Sequence, residues 1–207
     1  MEGRIMIIYF FRLIQKTQTY HKFLIVLPGL GQELAYGAAE EGAKVVLAAR
    51  TESKLKEVEA EIKSQGAEVI SVITDITSLE SCQNLVEETV SKFGKVDCLL
   101  NSAYRPGNFT EFDQGDMEDW KETMNTNYFG TMQLTLEAVK QMKIQKSGSI
   151  VMINSLITKK PLQTQGGYAA SKGALTASTK ILAKELGPHG IRVNAVYMGW
   201  MWGPPVE

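Results

Sequence analysis

Six short runs rich in Val, Ile and Leu, at 23–27, 44–48, 68–73, 96–100, 149–153 and 191–196, recur along the 207-residue chain with stretches of helical length between them. Some are nearly unbroken in apolar residues, as strands buried on both faces of a parallel sheet are. The intervening stretches, at about 30–42, 52–65, 78–93, 117–145 and 167–187, predict helices, with Gly94 and Gly187-Pro188 as stops. Strand alternating with helix in this way predicts one α/β domain, a doubly wound parallel sheet with helices on both faces. No linker, repeat or low-complexity segment divides it.

Such sheets bind ligands beyond the carboxyl ends of their strands, near the point where strand order reverses. The residues with chemistry fall there. Gly29-Leu30-Gly31 follows the first run and opens a helix, a turn whose free N–H groups suit a phosphate. Arg50 follows the second run, Asp75 the third, Asn101-Ser102-Ala103 the fourth, Ser155 the fifth and Met198-Gly199 the sixth. Each alone has an ordinary reading: a turn glycine, a solvated arginine, an aspartate capping the helix near Ser78, an asparagine ending a strand. Their shared edge argues for a site.

Within 155–172, SLITKKPLQTQGGYAASK, a hydroxyl, a phenol and an ammonium occur together at Ser155, Tyr168 and Lys172. Residues four apart share a helix face, so Tyr168 and Lys172 reach one pocket. A neighbouring cation favours the ionised phenol and brings its pKa nearer to neutrality for proton transfer. Tyr168 alone among the seven tyrosines has Lys four residues later, and Gly166, Gly167, Ala169 and Ala170 leave room for something to approach the backbone.

Composition excludes other classes. Net charge is -1 with no Lys/Arg block, which argues against nucleic acid as a partner. Cys82 and Cys98 form neither a disulfide framework nor a metal cluster, and read as free thiols in a reducing, cytoplasmic compartment. The apolar run 5–11, between Arg4 and Arg12, is too short to span a bilayer, so residues 1–21 read as an atypical extension and membrane binding is not expected.

From residue 22 to 207 the chain resembles the short-chain dehydrogenase/reductase family. The resemblance is carried by Asn101-Ser102-Ala103, Asn127 in TNYFG, Ser155 after GSIVMIN, Tyr168 and Lys172 at the following spacing, and IRVNAV. It implies a Rossmann-type fold and NAD(P)-dependent interconversion of a secondary alcohol and a ketone, the hydride belonging to the cofactor. It assigns Tyr168 as general acid/base and Lys172 as the residue that lowers the phenol's pKa and bonds the nicotinamide ribose. Ser155 orients the substrate oxygen, Asn127 supports a water leading to Lys172, and Asp75 contacts adenine. Gly29, Leu30, Gly31, Asn101, Ala103 and Gly199 complete the cofactor site, and self-association as a homodimer or homotetramer is expected. Arg50, where an NAD enzyme usually places an acid, favours NADP, with NAD possible.

Three departures stand out. Counted back from Gly31, the family's first loop glycine falls on Ile25 and its threonine on Leu24. Met198 replaces a proline, and the chain ends at Glu207 where relatives continue through a substrate-covering loop, a helix and a seventh strand. Tyr104 stands where a glycine is expected, either crowding the cofactor or shaping the pocket. A second reading follows: a catalytically impaired variant or fragment that binds cofactor weakly and acts through partners.

Overall fold

A computed structural model describes residues 22–26 and 29–199. Six strands form one sheet: β1 Lys22–Val26, β2 Lys44–Ala49, β3 Val69–Ile73, β4 Cys98–Asn101, β5 Gly148–Ser155 and β6 Ile191–Met198. Their order is β3-β2-β1-β4-β5-β6, with every pairing parallel. The chain winds outward from β1 to β3, then returns to lay β4 on the other side of β1. The reversal between β1 and β4 opens the crevice such sheets use for ligands.

Alternate residues of a strand face opposite ways, and the core divides accordingly. Phe23 and Ile25 join Val45, Leu47, Leu55 and Ile62 on one face, beneath α1 (Leu30–Glu40) and α2 (Glu52–Ser64). Leu24 joins Val46, Leu85, Leu134, Met142 and Leu175 on the other, beneath α3 (Leu79–Phe93), α5 (Thr131–Gln145) and α6 (Gly166–Leu186). This is the doubly wound sheet that the alternating runs predict.

Three expectations are corrected. The stretch 117–145 is not one α-helix: α4 covers Met117–Met124, a π-helical turn covers Asn125–Gly130, and only then does α5 begin. Ile25, which the apolar run 23–27 sets in the first strand and the motif count sets at a loop glycine, is the strand residue, fully buried and paired with Leu47 and Leu100. Counting back from Gly31 assumes a full-length loop, whereas here only residues 27–29 separate β1 from α1. The fourth strand starts at Cys98 rather than at 96, because Val96 gives its N–H and C=O to the Gln145 side chain at 2.9 and 2.8 Å instead of to a neighbouring strand. Leu27, residues 1–21, Trp200 and Trp202 lie outside the described residues.

Candidate active site

At the β1–α1 junction Gly29 adopts φ 68, ψ -122, a positive-φ conformation that side chains resist. A Cβ there would meet nothing within 4 Å, so backbone conformation alone asks for glycine. Among the described residues no side chain caps α1, and Gly29 O accepts the turn bond from Gln32 N at 2.9 Å. Leu30 tucks against the first core cluster and Gly31 is buried. The helix therefore presents uncapped N–H groups at the carboxyl edge, where an anion is favoured.

Arg50 emerges exposed beyond β2 and Asp75 lies beyond β3. Asp75 Oδ1 accepts from Thr77 N at 2.9 Å and Thr77 Oγ1 at 2.7 Å, while Asp75 N donates to Ser81 Oγ. Partial burial raises the Asp75 pKa, but the Thr77 bonds and the Arg50 charge outweigh it and leave the carboxyl below its usual value. Asp75 thus organises its own loop, and Ser78, not Asp75, caps α3.

At the end of β4 the Asn101 amide turns to α5, donating to Thr135 Oγ1 at 3.0 Å and to Met152 Sδ at 3.3 Å. Ala103 packs on the second core cluster. Beyond it the Asn127 side chain clamps the Arg105 backbone, accepting from Arg105 N at 2.6 Å and donating to Arg105 O at 2.9 Å. Asn127 is 0% exposed and also donates to Ser171 Oγ at 3.0 Å; Ser171 Oγ in turn donates to Tyr168 O at 2.7 Å. Asn127 sits within the π-helical turn Asn125–Gly130. Both ends of the Asn127 amide are engaged with protein, so its side chain ties the loop after β4 to α6.

Ser155, Tyr168 and Lys172 converge. Ser155 ends β5, its Oγ accepts from Ile157 N at 3.2 Å, and its hydroxyl is near enough to the Tyr168 phenol to favour the ionised phenol. Lys172 is 3% exposed; its Nζ donates to Ile153 O at 2.8 Å and lies 5.7 Å from the centroid of the Tyr168 ring. Burial pulls the Lys172 pKa down to about 8. The phenol does not follow the expectation of a lowered pKa: burial pushes Tyr168 up, the nearby Ser155 hydroxyl draws it partly back, and Tyr104 adds to the rise. Lys172 spends its proton on a backbone carbonyl, and burial of the phenol dominates.

Residues outside the motifs hold this geometry. Asn154, 1% exposed, donates to Lys172 O at 3.2 Å and to Thr176 Oγ1 at 2.9 Å, fixing the second turn of α6 to β5. Its signal was available: a polar residue closing an otherwise apolar strand. The small residues Gly166 and Gly167 do leave room for a neighbour, and that neighbour is Trp120 of α4. A Cβ on Gly166 would lie 2.4 Å from Trp120 Cζ2, and one on Gly167 3.2 Å from Trp120 Cγ. Gly199 follows β6, exposed and beside Leu156. Among the described residues no group of three or more His, Cys, Asp or Glu could hold a metal, and no helix is long and apolar enough to cross a membrane. Cys82 and Cys98 are free and buried.

The short chain dehydrogenase family profile matches residues 27–204. An uncharacterized oxidoreductase of Staphylococcus saprophyticus is 35% identical over 177 residues, 85% of this chain and 75% of its own. Among solved structures, NAD+-bound xylitol dehydrogenase superposes with TM-score 0.88 at 31% identity, covering 92% of this chain and 74% of that one. A variant of actinorhodin polyketide ketoreductase with NADPH gives 0.86 at 32%, covering 92% and 74%. The chain spans from 56% to 75% of the length of the first curated relatives it matches. It belongs to the short-chain dehydrogenase family, whose relatives here are dehydrogenases and reductases.

Proposed function

We propose that the chain is an NAD(P)-dependent oxidoreductase that interconverts a secondary alcohol and a ketone, with Tyr168 as general acid/base. The observation that carries this reading is the buried Lys172, its Nζ 5.7 Å from the centroid of the Tyr168 ring, with Ser155 at the end of β5 near the same phenol, on the carboxyl edge of the sheet. In the reductive direction Ser155 donates to the carbonyl oxygen and orients it. Tyr168, protonated because burial raises its pKa, delivers a proton to that oxygen as the alcohol forms. Lys172, with a pKa of about 8, stands next to the phenol as the cation that stabilises it when the proton has left. Asn127 holds the loop that bounds the site.

A dinucleotide fits the residues present. The uncapped N-terminus of α1 at Gly29, Leu30 and Gly31 suits a pyrophosphate. Asp75, Asn101, Ala103 and Gly199 border the same crevice, and Lys172 with Tyr168 closes it. The nicotinamide supplies or accepts the hydride when bound. The exposed Arg50, whose charge reaches Asp75, favours a 2′-phosphate, so NADP is the proposed cofactor and NAD the alternative. With Ile25 buried in β1, the steric argument for an impaired chain lapses.

The proposed partners are a small alcohol or carbonyl compound and further copies of this chain, in the cytoplasm. Self-association is supported by Phe129, Leu136, Ile144 and Ile181, large apolar residues exposed on the π-turn, α5 and α6. Replacement of Tyr168 by Phe tests the mechanism: turnover of any carbonyl the protein reduces falls by about 10²–10⁴ while the far-ultraviolet spectrum is kept. Unchanged turnover would falsify the assignment of Tyr168.

A further inference from the structure

Consecutive residues of β5 hold Lys172 at both its ends. Ile153 O accepts from the ammonium at 2.8 Å, and the Asn154 amide donates to the Lys172 backbone carbonyl at 3.2 Å. The same amide makes two further bonds. Asn154 Nδ2 donates to Thr176 Oγ1 at 2.9 Å, one turn along α6, and Asn154 Oδ1 accepts from Ser155 N at 2.7 Å. Thr176 Oγ1 itself donates to Lys172 O at 2.9 Å, so the tie to α6 is doubled. A backbone N–H only donates and a backbone C=O only accepts, which fixes the end of the amide that faces each.

Asn154 is 1% exposed and follows four buried apolar residues, Ile150 to Ile153. An aliphatic side chain would continue that run without the cost of burying an amide, which is offset only when its polar atoms are bonded. Here the bonds go to Ser155, Lys172 and Thr176. Ser155 is fixed correspondingly: Asn154 takes its N–H, its C=O accepts from Thr158 Oγ1 at 3.0 Å, and its Oγ accepts from Ile157 N at 3.2 Å. As the acceptor in that last bond, Ser155 keeps its hydroxyl proton for donation. We propose that Asn154 is a positioning residue: its amide sets the spacing between Ser155 and the Lys172 turn of α6, and with it the place of the hydroxyl relative to the ammonium and the phenol that this helix carries. It acts through those residues and takes no part in the proton transfer. A misplacement of about 1 Å between groups that must act together costs about a hundredfold in rate.

This inference rests on the oxidoreductase reading, and its test separates the two. Asn154→Leu keeps the size of the side chain and removes all its bonds. With 13Cε-labelled lysine, the Lys172 resonance is assigned by its loss in Lys172→Met, and its titration is followed without ligand. Burial holds that midpoint down, so loosening the turn raises it, by about 0.5 pH unit or more in Asn154→Leu. Thr176→Val removes one partner of the amide, gives a smaller rise, and carries the test if Asn154→Leu does not fold. Leu55→Ala, a core substitution on the other face of the sheet, leaves the midpoint in place. Unmoved midpoints in the folded Asn154 and Thr176 variants, or an equal rise in Leu55→Ala, overturn the proposal whatever the activity. Turnover is read with NADPH and whichever of cyclohexanone, acetophenone and ethyl acetoacetate the wild-type chain reduces fastest. In Asn154→Leu, kcat falls about tenfold or more and KM stays within about threefold. A raised KM at unchanged kcat overturns the positioning role. NADPH binding and a moved midpoint, with none of the three ketones reduced, contradict the oxidoreductase reading instead.

Discussion

The two halves of the carboxyl edge are built differently. Around β4, β5 and α6 every group that meets the reacting centre is cross-braced: Asn127 ties the Arg105 peptide to Ser171, Asn154 ties β5 to α6, and Trp120 fills the seat left by Gly166 and Gly167. Around β1 and β2 the groups are open: an uncapped helix start at Gly29, an exposed Arg50, and open space where a Cβ of Gly29 would lie. The first half is rigid before any ligand arrives, as proton transfer between fixed partners requires. The second keeps its donors free, as a phosphate-bearing ligand requires.

If this contrast is right, substitutions in the braced half cost folding free energy and those in the open half cost mostly ligand affinity. The largest effect is expected at Asn127. Its replacement by Ala leaves the part-buried Arg105 N–H and C=O without their partner and takes a donor from Ser171 Oγ, and lowers stability by about 3 kcal/mol in urea unfolding. A loss under about 1 kcal/mol would show that the clamp is incidental.

Lys172 comes next and is read through pH. Its folded pKa of about 8 lies below the usual 10.5, so between those values the unfolded chain still holds a proton that the folded chain has released. Stability therefore rises through that window, by about 3 kcal/mol relative to Lys172→Met. Parallel stability profiles of the two proteins from pH 7.5 to 10.5 would contradict the burial of a cation.

Two glycines make a direct pair. In Gly166→Ala the new methyl meets the Trp120 ring, and the cost is about 2 kcal/mol of overpacking. In Gly29→Ala the methyl meets open space, and only the backbone conformation of φ 68, ψ -122 opposes it, about 1 kcal/mol. Thermal melts of both variants rank them; the reverse order would break the comparison. The smallest stability effect is expected at Arg50→Ala, within about 0.5 kcal/mol, while its affinity for NADPH drops and that for NADH holds.

The sheet was legible in the sequence because buried parallel strands need continuous apolar runs, and all six are where those runs lie, shifted only at their ends. The carboxyl-edge positions of Arg50, Asp75, Asn101 and Ser155 followed from that reading. Tertiary bonds were not legible. At the π-turn the Asn127 side chain bonds a loop 22 residues earlier, which no local periodicity records. Gly166 and Gly167 announced a close approach without naming Trp120 as the approaching group. The apolar run 23–27 already set Ile25 in the first strand, and it was the count back from Gly31 that set it against a loop glycine. The expectation that Lys172 lowers the Tyr168 pKa weighed charge without burial, which only packing reveals.

The account as a whole stands on nucleotide binding by the open half. Titrating the purified 207-residue chain with NADPH and with NADH, followed by nicotinamide fluorescence and by melting temperature, tests it most directly. The account predicts that NADPH binds, raises the melting temperature and does so at lower concentration than NADH. A folded chain that binds neither would contradict it.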